Sequence, residues 1–207
     1  MDCYSRHTWV FFLPDKSSTT VTPGFEELTS GIWTKFHHLK YKICRFWCDN
    51  RKGEYNNSRF RDILRATGIQ YVPALPYTQH KKAVSEQMIR TITTKACTLL
   101  LDARLPAEFW AKAVQTAAYL HAHSPSMSNK GKAPFQMICN EKPEVHHLQR
   151  FGCLAYKWIA MSPEWGEKLS TSLTAGYYLG LCAPDYKDME ALESVYKAGH
   201  PGAGCEV

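Results

Sequence analysis

The chain has 207 residues, of which 44% are hydrophobic and 21% are charged, and its formal net charge is +6. This composition is typical of one globular domain, with or without a small module; it excludes a largely disordered chain and permits a polyanionic partner without requiring one. No apolar run approaches the roughly 18 residues of a membrane span, and the first residues lack the apolar core of a secretory signal, so we expect no membrane partner and a location in the nucleus or the cytoplasm.

The first half of the chain alternates between strand-like and helical patterns. Runs of β-branched and aromatic residues predict strands, and apolar residues at helical spacing predict helices. Pro23 and Gly24 interrupt the first helical pattern, so its helix is expected to begin near Gly24. Asn57 or Ser58 is expected to cap the next helix, and Gly68 to end it. The predicted strands cover residues 8–13, which should be buried, 41–48 and 69–72, and the first helix is expected to end near residue 38.

The second half is mainly helical before it becomes strand-like. Residues 76–83 predict a proline-led basic loop, followed by an apolar stripe of helical period over residues 84–103, with Glu86 in the first turn. Another helix is expected from near Pro106. Its inward-facing residues are predicted to be Phe109, Trp110, Ala113, Val114 and Ala117. Two short strands are predicted at residues 154–159 and 176–181.

Eight cysteines are scattered through apolar or strand-like segments and form no C-x-x-C pair. In a nuclear or cytosolic protein such thiols are usually buried and reduced, and that is the expectation here. Cys44 and Cys48 lie near His37 and His38 in the sequence, which leaves a metal site as an alternative. Their spacing matches no standard zinc pattern.

Two carboxylates stand where metal-dependent phosphoryl transfer would need them. Asp49 ends a predicted strand, and Glu86 lies in the helix that follows the basic loop. Carboxylates are the hard oxygen ligands that suit Mg²⁺, and two-metal phosphoryl transfer uses ions roughly 3.5–4 Å apart. A turn-forming Asp and a Glu that complements a helix dipole are the simpler alternatives, and spacing alone favours them.

Five blocks of sequence in a fixed order bear on this choice. The first reads DCYSRHTWVFFL, and the second, CDNRKGEY, contains Asp49. The third, PYTQHKKAVSEQMIRT, contains Glu86, and the fourth reads LPAEFWAKAVQTAAYL. The fifth consists of KAPF followed by HLQRFGCLAY. Together the blocks resemble the integrases of Copia-type retrotransposons, and Tyr178-Leu179-Gly180 is similar to the signature of that family's small SH3-like module.

The resemblance implies a fold class, a domain organisation and a reaction. The fold would be α/β, with a ribonuclease H-like integrase catalytic core that lacks its opening strands, followed by helices and a small SH3-like β-module. Its domains would be the truncated core over residues 1–122, a connector over 123–149, and the partial SH3-like module with its tail over 150–207. The family's reaction is 3′-processing of DNA and strand transfer. Asp49 and Glu86 would be the second and third acids of its catalytic set and would bind Mg²⁺ or Mn²⁺.

The chain departs from the family at several positions near these acids. The family's first catalytic Asp lies upstream of the DCYSR stretch, so Asp2 matches a non-catalytic position. Arg51 and Ala83 each replace a Gly, and Gln87 replaces an Arg. Two carboxylates without the third bind Mg²⁺ less well and position two ions poorly. We therefore expect a relic open reading frame or an internal start within a longer polyprotein gene, with little or no catalysis from this chain alone.

Positive charge surrounds the two acids. The candidate nucleic-acid-binding residues are Arg51, Lys52, Lys81, Lys82, Arg90 and Lys95. Such side chains suit phosphate contacts, which position DNA without reading its sequence. The resemblance implies element ends and target DNA as partners, with RNA and a second copy of the chain as further partners. A solvated surface is the simpler alternative, and the rival functions are a non-catalytic nucleic-acid-binding or assembly module and a functionless remnant.

Overall fold

The computed structural model of the chain describes residues 1–39, 41–48, 55, 57–73, 79–158 and 173–180. The chain divides into two compact units. Unit 1 contains Met1–Arg90 and Pro125–Lys142, and unit 2 contains Thr91–Ser124 and Pro143–Val207. These units group residues by contact, and the predicted division at residues 122 and 149 stays a prediction.

Unit 1 is built on a parallel pair of short strands. β1 (Arg45–Cys48) pairs with β2 (Gln70–Pro73), and the register places Phe46 opposite Tyr71. Parallel strands need a crossover connection, and the chain between these two contains the helix α2 (Ser58–Thr67). The strand-helix-strand order confirms the predicted α/β class, and both strands lie within or next to their predicted ranges.

The ends of α2 follow the predicted capping residues. Asn57 is the N-cap, and its side-chain oxygen accepts a hydrogen bond from the backbone N–H of Phe60. Gly68 ends the helix with a φ of 69°, a conformation that costs glycine little, and its N–H donates to the carbonyl of Arg65. The backbone N–H of Ile69 then donates to the carbonyl of Leu64 at 2.9 Å. Both predicted boundaries are confirmed.

Five aromatic side chains, here called the aromatic cluster, fill the core of unit 1: Phe25, Phe46, Tyr55, Phe60 and Tyr71. Phe60 lies at the centre and is fully buried. Its ring centroid lies 4.9 Å from that of Phe25, 5.3 Å from that of Tyr55 and 5.7 Å from that of Phe46. The rings meet edge-on or tilted, the arrangements that aromatic quadrupoles favour.

The first helix, α1 (Ser18–Phe36), starts earlier than predicted, so a start near Gly24 is wrong. Ser17 opens the helix, since its carbonyl accepts from the N–H of Val21 at 2.9 Å. Pro23 lies inside the helix, where it removes one backbone donor. Burial of Val21, Thr22 and Phe25 along this turn offsets that loss.

Residues 8–13 have no regular structure, so the predicted buried strand is wrong. Phe11, Phe12 and Leu13 are each about two-fifths exposed. A strand needs a neighbour to satisfy its backbone groups, and no strand among the described residues pairs with this segment. The β-branched and aromatic composition expresses only a tendency to fill a pleated, half-buried surface.

The long helix α3 (Gln79–Ala103) also begins earlier than predicted. Residues 79–83 are helical, so the predicted loop is wrong there, and residues 74–78 lie outside the described part. The sequence between Pro76 and Ala83 contains no residue that breaks a helix. Lys81, Lys82 and Ala83 favour one. The helix passes from unit 1 into unit 2 after Arg90.

The apolar stripe and the end of α3 agree with the prediction. Val84 and Met88 are half-buried in the part that belongs to unit 1. Ile92 and Ala96 are buried in the part that belongs to unit 2. The helix ends at Ala103, as predicted.

Within the described ranges, no helix is both long enough and apolar enough to cross a membrane.

Small side chains of one helix form much of the core of unit 2, beside the buried Ile92 and Phe151. α4 (Trp110–His123) buries Ala113, Ala117, Ala118 and Ala122, the first two completely. Small residues allow another backbone to approach the helix closely. The sequence predicts this inward face correctly for its alanines.

The large apolar residues around the start of α4 differ in how exposed they are to solvent. Phe109 and Val114 are half-buried, in keeping with the prediction that they face inward. The same prediction is wrong for Trp110, which is 56% exposed. Trp110 is the first residue of α4, after the short 3-10 helix Ala107–Phe109. The tighter turn changes the angle at which the following side chains leave the axis.

Unit 2 also contains an antiparallel hairpin. β3 (Leu154–Trp158) pairs with β4 (Leu173–Tyr177), and Leu154 lies opposite Tyr177. The first predicted strand is confirmed. The second was expected over residues 176–181 and is wrong in position, because Gly180 takes a φ of 88° and turns the chain.

Two glycines next to the hairpin lie where the backbone almost touches a helix. A Cβ on Gly152, which has a φ of 77°, would lie 2.3 Å from the Cβ of Ala103. A Cβ on Gly180 would lie 2.0 Å from the Oγ1 of Thr116. The N–H of Gly152 donates to the carbonyl of Tyr178 at 2.7 Å. Only glycine fits at these two positions.

Unit 1 is completed by α5 (Pro134–Cys139) and by short 3-10 helices at His37–Leu39 and Met127–Asn129. Pro134 occupies the first helical turn, where its missing N–H costs nothing, and it is fully buried.

The cysteines are less buried than predicted. Cys48 is the one buried cysteine among those described, so the prediction is wrong for most of them. The others lie at loops, exposed helix faces and strand edges, where a small apolar side chain is tolerated. None of the six described cysteines forms a disulfide: Cys3, Cys44 and Cys97 are exposed, Cys139 and Cys153 are half-buried, and Cys48 is buried. Cys182 and Cys205 lie outside the described residues.

Candidate functional site

Glu86 lies inside α3, about two turns after the first residue of the helix. It is the eighth residue of the helix, so the prediction that places it in the first turn is wrong. The reason is the earlier start at Gln79, which adds two turns before it. The simpler role of complementing the helix dipole therefore does not apply, because that effect is confined to the first turn.

The Glu86 carboxylate is open to solvent. It has no hydrogen-bond or ion-pair partner within the part of the chain that the structure describes. Arg90 lies four residues further along the same helix and is also exposed. This spacing places both side chains on one helix face. The exposed face of α3 in unit 1 thus presents one carboxylate with a guanidinium one turn away.

Three of the other candidates lie outside the described residues. Asp49 follows Cys48, the last residue of β1, and Arg51 and Lys52 come shortly after it. Lys81 and Lys82 belong to α3, but their side chains are not among those described. The pairing of Asp49 with Glu86 therefore stays a prediction.

Lys95 differs from Arg90 in its surroundings. It lies in unit 2 between the buried residues Ile92 and Ala96, and it is half-buried. His121 lies close by: burial lowers its pKa first, and the positive charge of Lys95 lowers it further. A half-buried lysine can bury its aliphatic stem and still keep its ammonium group in water.

The end of β1 is held by a side-chain contact that the sequence does not reveal. The thiol of Cys48 donates a hydrogen bond to the hydroxyl oxygen of Tyr71 at 3.2 Å. Burial, followed by the neighbouring Cys48, raises the pKa of Tyr71 to about 12. The phenol is therefore neutral at any physiological pH. A signal for this pair would require the strand register, which the sequence pattern alone does not give.

Asp2 has a structural role. Its carboxylate accepts hydrogen bonds from the backbone N–H of Ser5 at 2.7 Å and from the Ser5 hydroxyl at 2.6 Å. Partial burial alone would raise the pKa of Asp2, but the Ser5 hydrogen bonds outweigh it and hold the pKa below its usual value. The buried side chain of Asn129 donates to the carbonyl of Ser5 at 2.7 Å. The DCYSR motif thus forms a closed turn, which fits its predicted non-catalytic position.

The chemistry of the candidate ligands suits a hard cation. Asp49 and Glu86 both offer carboxylate oxygens, the donors that Mg²⁺ prefers. Among the described residues, no group of three or more histidines, cysteines or acids could hold a metal ion. Asp49 and Glu86 match Mg²⁺ because both are carboxylates, the donor type that this ion prefers.

The chain is similar to long polyproteins of plant transposons. One relative is the retrovirus-related Pol polyprotein from transposon TNT 1-94 of Nicotiana tabacum. The two sequences are 34% identical over 164 residues, and the match covers 77% of this chain. The chain is 30% identical over 159 residues to the retrovirus-related Pol polyprotein from transposon RE2 of Arabidopsis thaliana, again over 77% of this chain. The chain spans only 12% and 10% of the length of these two relatives. No protein-family model matches it.

The chain also resembles solved structures of viral proteins. One is the catalytic core domain of BIV integrase, with a TM-score of 0.46 and 15% identity, covering 62% of this chain and 74% of that chain. Another is a simian T-cell lymphotropic virus intasome in complex with PP2A regulatory subunit B56 gamma. For it the TM-score is 0.49 and the identity 16%, covering 77% of this chain and 55% of that chain. The kinship that the five ordered blocks predict is confirmed by the Pol polyproteins.

Proposed function

This chain is an integrase-like segment homologous to the retrovirus-related Pol polyproteins of plant transposons, and we propose that it binds DNA beside a metal site formed by Asp49 and Glu86. The ancestral reaction would be DNA integration by metal-dependent strand transfer on a ribonuclease H-like core. The nucleus or the cytoplasm is the compartment that this function implies.

The observation that carries the proposal is the state of Glu86. Its carboxylate is exposed on α3, and no described residue competes with a ligand for it. Arg90, one turn away, supplies a positive charge for a phosphate oxygen. A carboxylate and a guanidinium on one helix face can hold a metal ion and a DNA phosphate side by side.

Each residue would have a defined part in this site. Asp49 and Glu86 would hold Mg²⁺ or Mn²⁺, which when bound neutralises charge on the reacting phosphate. Arg90 and Lys95, with Lys81 and Lys82 earlier on α3, would position the DNA backbone. Because the motifs assign two of the family's three acids to this chain, we expect the chain alone to transfer little or no DNA strand.

Metal binding and strand transfer test the catalytic part of the proposal. We expect saturable Mn²⁺ binding that Asp49→Asn or Glu86→Gln removes, while Glu27→Gln, which changes an exposed acid on α1, leaves it intact. No Mn²⁺ binding by the wild-type chain would refute the site. Strand-transfer product formed with Mn²⁺ and abolished by Glu86→Gln would show that the chain is active alone.

Salt-dependent DNA binding tests the partner. We expect the affinity for a labelled duplex to fall steeply with salt, and Arg90→Ala to reduce the slope of log K against log salt by about 1. The matched control is Arg65→Ala, because Arg65 is an exposed arginine of unit 1 whose guanidinium already pairs with Asp62 at 3.2 Å. Equal effects of the two variants would mean that Arg90 belongs to a general solvated surface.

A non-catalytic binding module is the second candidate function. The exposed guanidinium of Arg90 needs no metal ion to contact a DNA phosphate, so DNA binding without a metal site is possible. Such a module would bind the duplex with a strong salt slope and ignore Glu86→Gln. A chain without cooperative thermal unfolding would instead be a functionless remnant.

A further inference from the structure

Cys48 and Tyr71 are joined across the two parallel strands of unit 1. The Cys48 thiol donates to the Tyr71 hydroxyl oxygen at 3.2 Å. Phe46 lies opposite Tyr71 in the ladder, and Cys48, two residues further along, points to the same face of the sheet as Phe46. The Tyr71 side chain therefore reaches diagonally along this face to the last residue of β1.

The backbone ladder ends at the same place. Cys48 is paired with Pro73, and proline has no N–H to donate to a neighbouring strand. The thiol-hydroxyl bond thus ties β1 to β2 where the backbone donors of β2 end. Asp49 is the next residue of the chain.

The Tyr71 hydroxyl is held firmly enough to act as a support. Its ring belongs to the aromatic cluster and lies nearly perpendicular to the fully buried Phe60, with the centroids 6.4 Å apart. Packing of this kind leaves a ring few alternative orientations. The Cys48 thiol is buried, so water cannot readily replace the hydroxyl as its partner.

We propose that Tyr71 is a positioning residue for the metal site, because its hydroxyl holds Cys48 and, through Cys48, the strand end that leads into Asp49. This inference rests on the proposed function, since it needs Asp49 to be a metal ligand. Hydrogen bonds that support a ligand from behind typically change metal affinity by about 10–100-fold. Tyr71 acts through the residue before the ligand, so we expect the lower end, about tenfold.

The experiment measures Mn²⁺ binding to the full chain by electron paramagnetic resonance of the free ion. Tyr71→Phe removes the hydroxyl and keeps the ring, and Cys48→Ala removes the donor. Each is expected to weaken Mn²⁺ binding about tenfold, and the double variant no more than either one, because both remove the same bond. Cys48→Ser keeps a donor and is expected to restore most of the affinity.

The matched control is Tyr41→Phe. Tyr41 is an exposed tyrosine four residues before β1, and its substitution also removes one hydroxyl. We expect its Mn²⁺ affinity to equal that of the wild-type chain. Thermal unfolding of every variant separates a change in metal affinity from a change in stability.

The possible failures point to different causes. If Tyr71→Phe lowers the unfolding temperature but leaves Mn²⁺ affinity unchanged, while Asp49→Asn abolishes binding, the metal site stands and the positioning role is wrong. Additive losses in the double variant would also overturn the role. If the wild-type chain binds no Mn²⁺, or Asp49→Asn binds as well as the wild type, the proposed metal site and this inference fail together.

Discussion

The two units of this protein differ in how their main helices are packed. Unit 1 encloses the aromatic cluster, in which large rings surround the fully buried Phe60. Unit 2 buries the alanines of α4 and brings the backbone at Gly152 and Gly180 almost into contact with helices. Large rings fill the centre of unit 1, whereas the packing of α4 and the two glycine contacts in unit 2 require small side chains.

The difference determines how each unit can be damaged. Removing atoms from the aromatic cluster leaves a cavity that neighbouring rings cannot fully close. Adding atoms at a glycine contact of unit 2 forces backbone apart, because the space is already occupied. Substitutions that delete volume should therefore harm unit 1, and substitutions that add volume should harm unit 2.

Phe60→Ala should have the largest effect. Phe60 is fully buried at the centre of the aromatic cluster, and a buried Phe→Ala change typically costs about 3–5 kcal/mol. The measurement is urea unfolding of the full chain, with hydrogen exchange to locate the loss in unit 1. Phe11→Ala, at a residue 41% exposed, is the control and should cost far less. Similar costs at both positions would contradict a core centred on Phe60.

Gly180→Ala should destabilise unit 2 by about 2–4 kcal/mol, which combines a left-handed backbone with overpacking. Its Cβ would lie 2.0 Å from the Oγ1 of Thr116. Gly131 is the matched control, because its φ of 79° is similar but no atom lies within 4 Å of its Cβ position. Gly131→Ala should therefore show only the backbone cost, about 1–2 kcal/mol. Hydrogen exchange in α4 and β4 is the local measurement.

The companion variant Thr116→Ala separates the two costs. It removes the Oγ1 atom that a Cβ on Gly180 would meet, together with a 3.4 Å hydrogen bond to the carbonyl of Leu179. In a Thr116→Ala background, Gly180→Ala should cost less than it does in the wild type. Equal costs in both backgrounds would show that the close approach to α4 does not limit this position.

The sequence predicted those parts of the fold that neighbouring residues decide. α2 is such a part, because its cap Asn57, its apolar stripe and its stop Gly68 lie in one short segment. Residues 8–13 show the opposite, since their strand tendency required a partner that no described residue supplies. The first turns of α1, before Pro23, also involve a contact between residues far apart in the sequence. The Asn57 side chain donates a hydrogen bond to the Thr22 hydroxyl at 3.0 Å, although the two residues are 35 positions apart in the chain.

Asn57→Ala should have a moderate effect, because a lost N-cap costs about 1 kcal/mol. The same substitution removes the bond to the Thr22 hydroxyl, which adds to the loss. Ser58→Ala is the control, since Ser58 is the exposed first residue of α2 and is not its cap. Urea unfolding and hydrogen exchange across α2 should show the loss only for Asn57→Ala. Equal exchange rates in both variants would mean that the predicted cap does not stabilise the helix.

The candidate site was accessible to sequence reasoning only in part. The motifs single out Asp49 and Glu86, and carboxylate chemistry then indicates a hard cation. The position of Glu86 within α3 was missed because it depends on where the helix begins. No local start signal in the sequence fixed that residue. Tyr71 was missed because its contact with Cys48 runs diagonally across a parallel strand pair and requires the register.

The smallest expected effect is a pH dependence confined to unit 2. Burial lowers the pKa of His123, although its hydrogen bond with the Tyr119 carbonyl at 2.8 Å partly opposes this and nearby His147 adds to it. Burial and then Lys95 lower the pKa of His121, whose Nε2 is enclosed without a hydrogen-bond partner among the described residues. Both histidines therefore favour the neutral form in the folded chain.

A histidine whose folded-state pKa lies below its ordinary value of 6.5 stabilises the fold above that pH. As the pH falls below 6.5 the unfolded chain takes up protons first, so stability is lost until the pH passes the folded-state pKa. We expect the unfolding temperature of unit 2 to decrease from pH 7.5 to pH 5.5, while hydrogen exchange in the aromatic cluster of unit 1 changes little. His123→Phe keeps a ring to stack on Tyr119, whose centroid lies 4.0 Å away, and should flatten the profile. A profile as steep in this variant as in the wild type would assign the pH dependence to other groups.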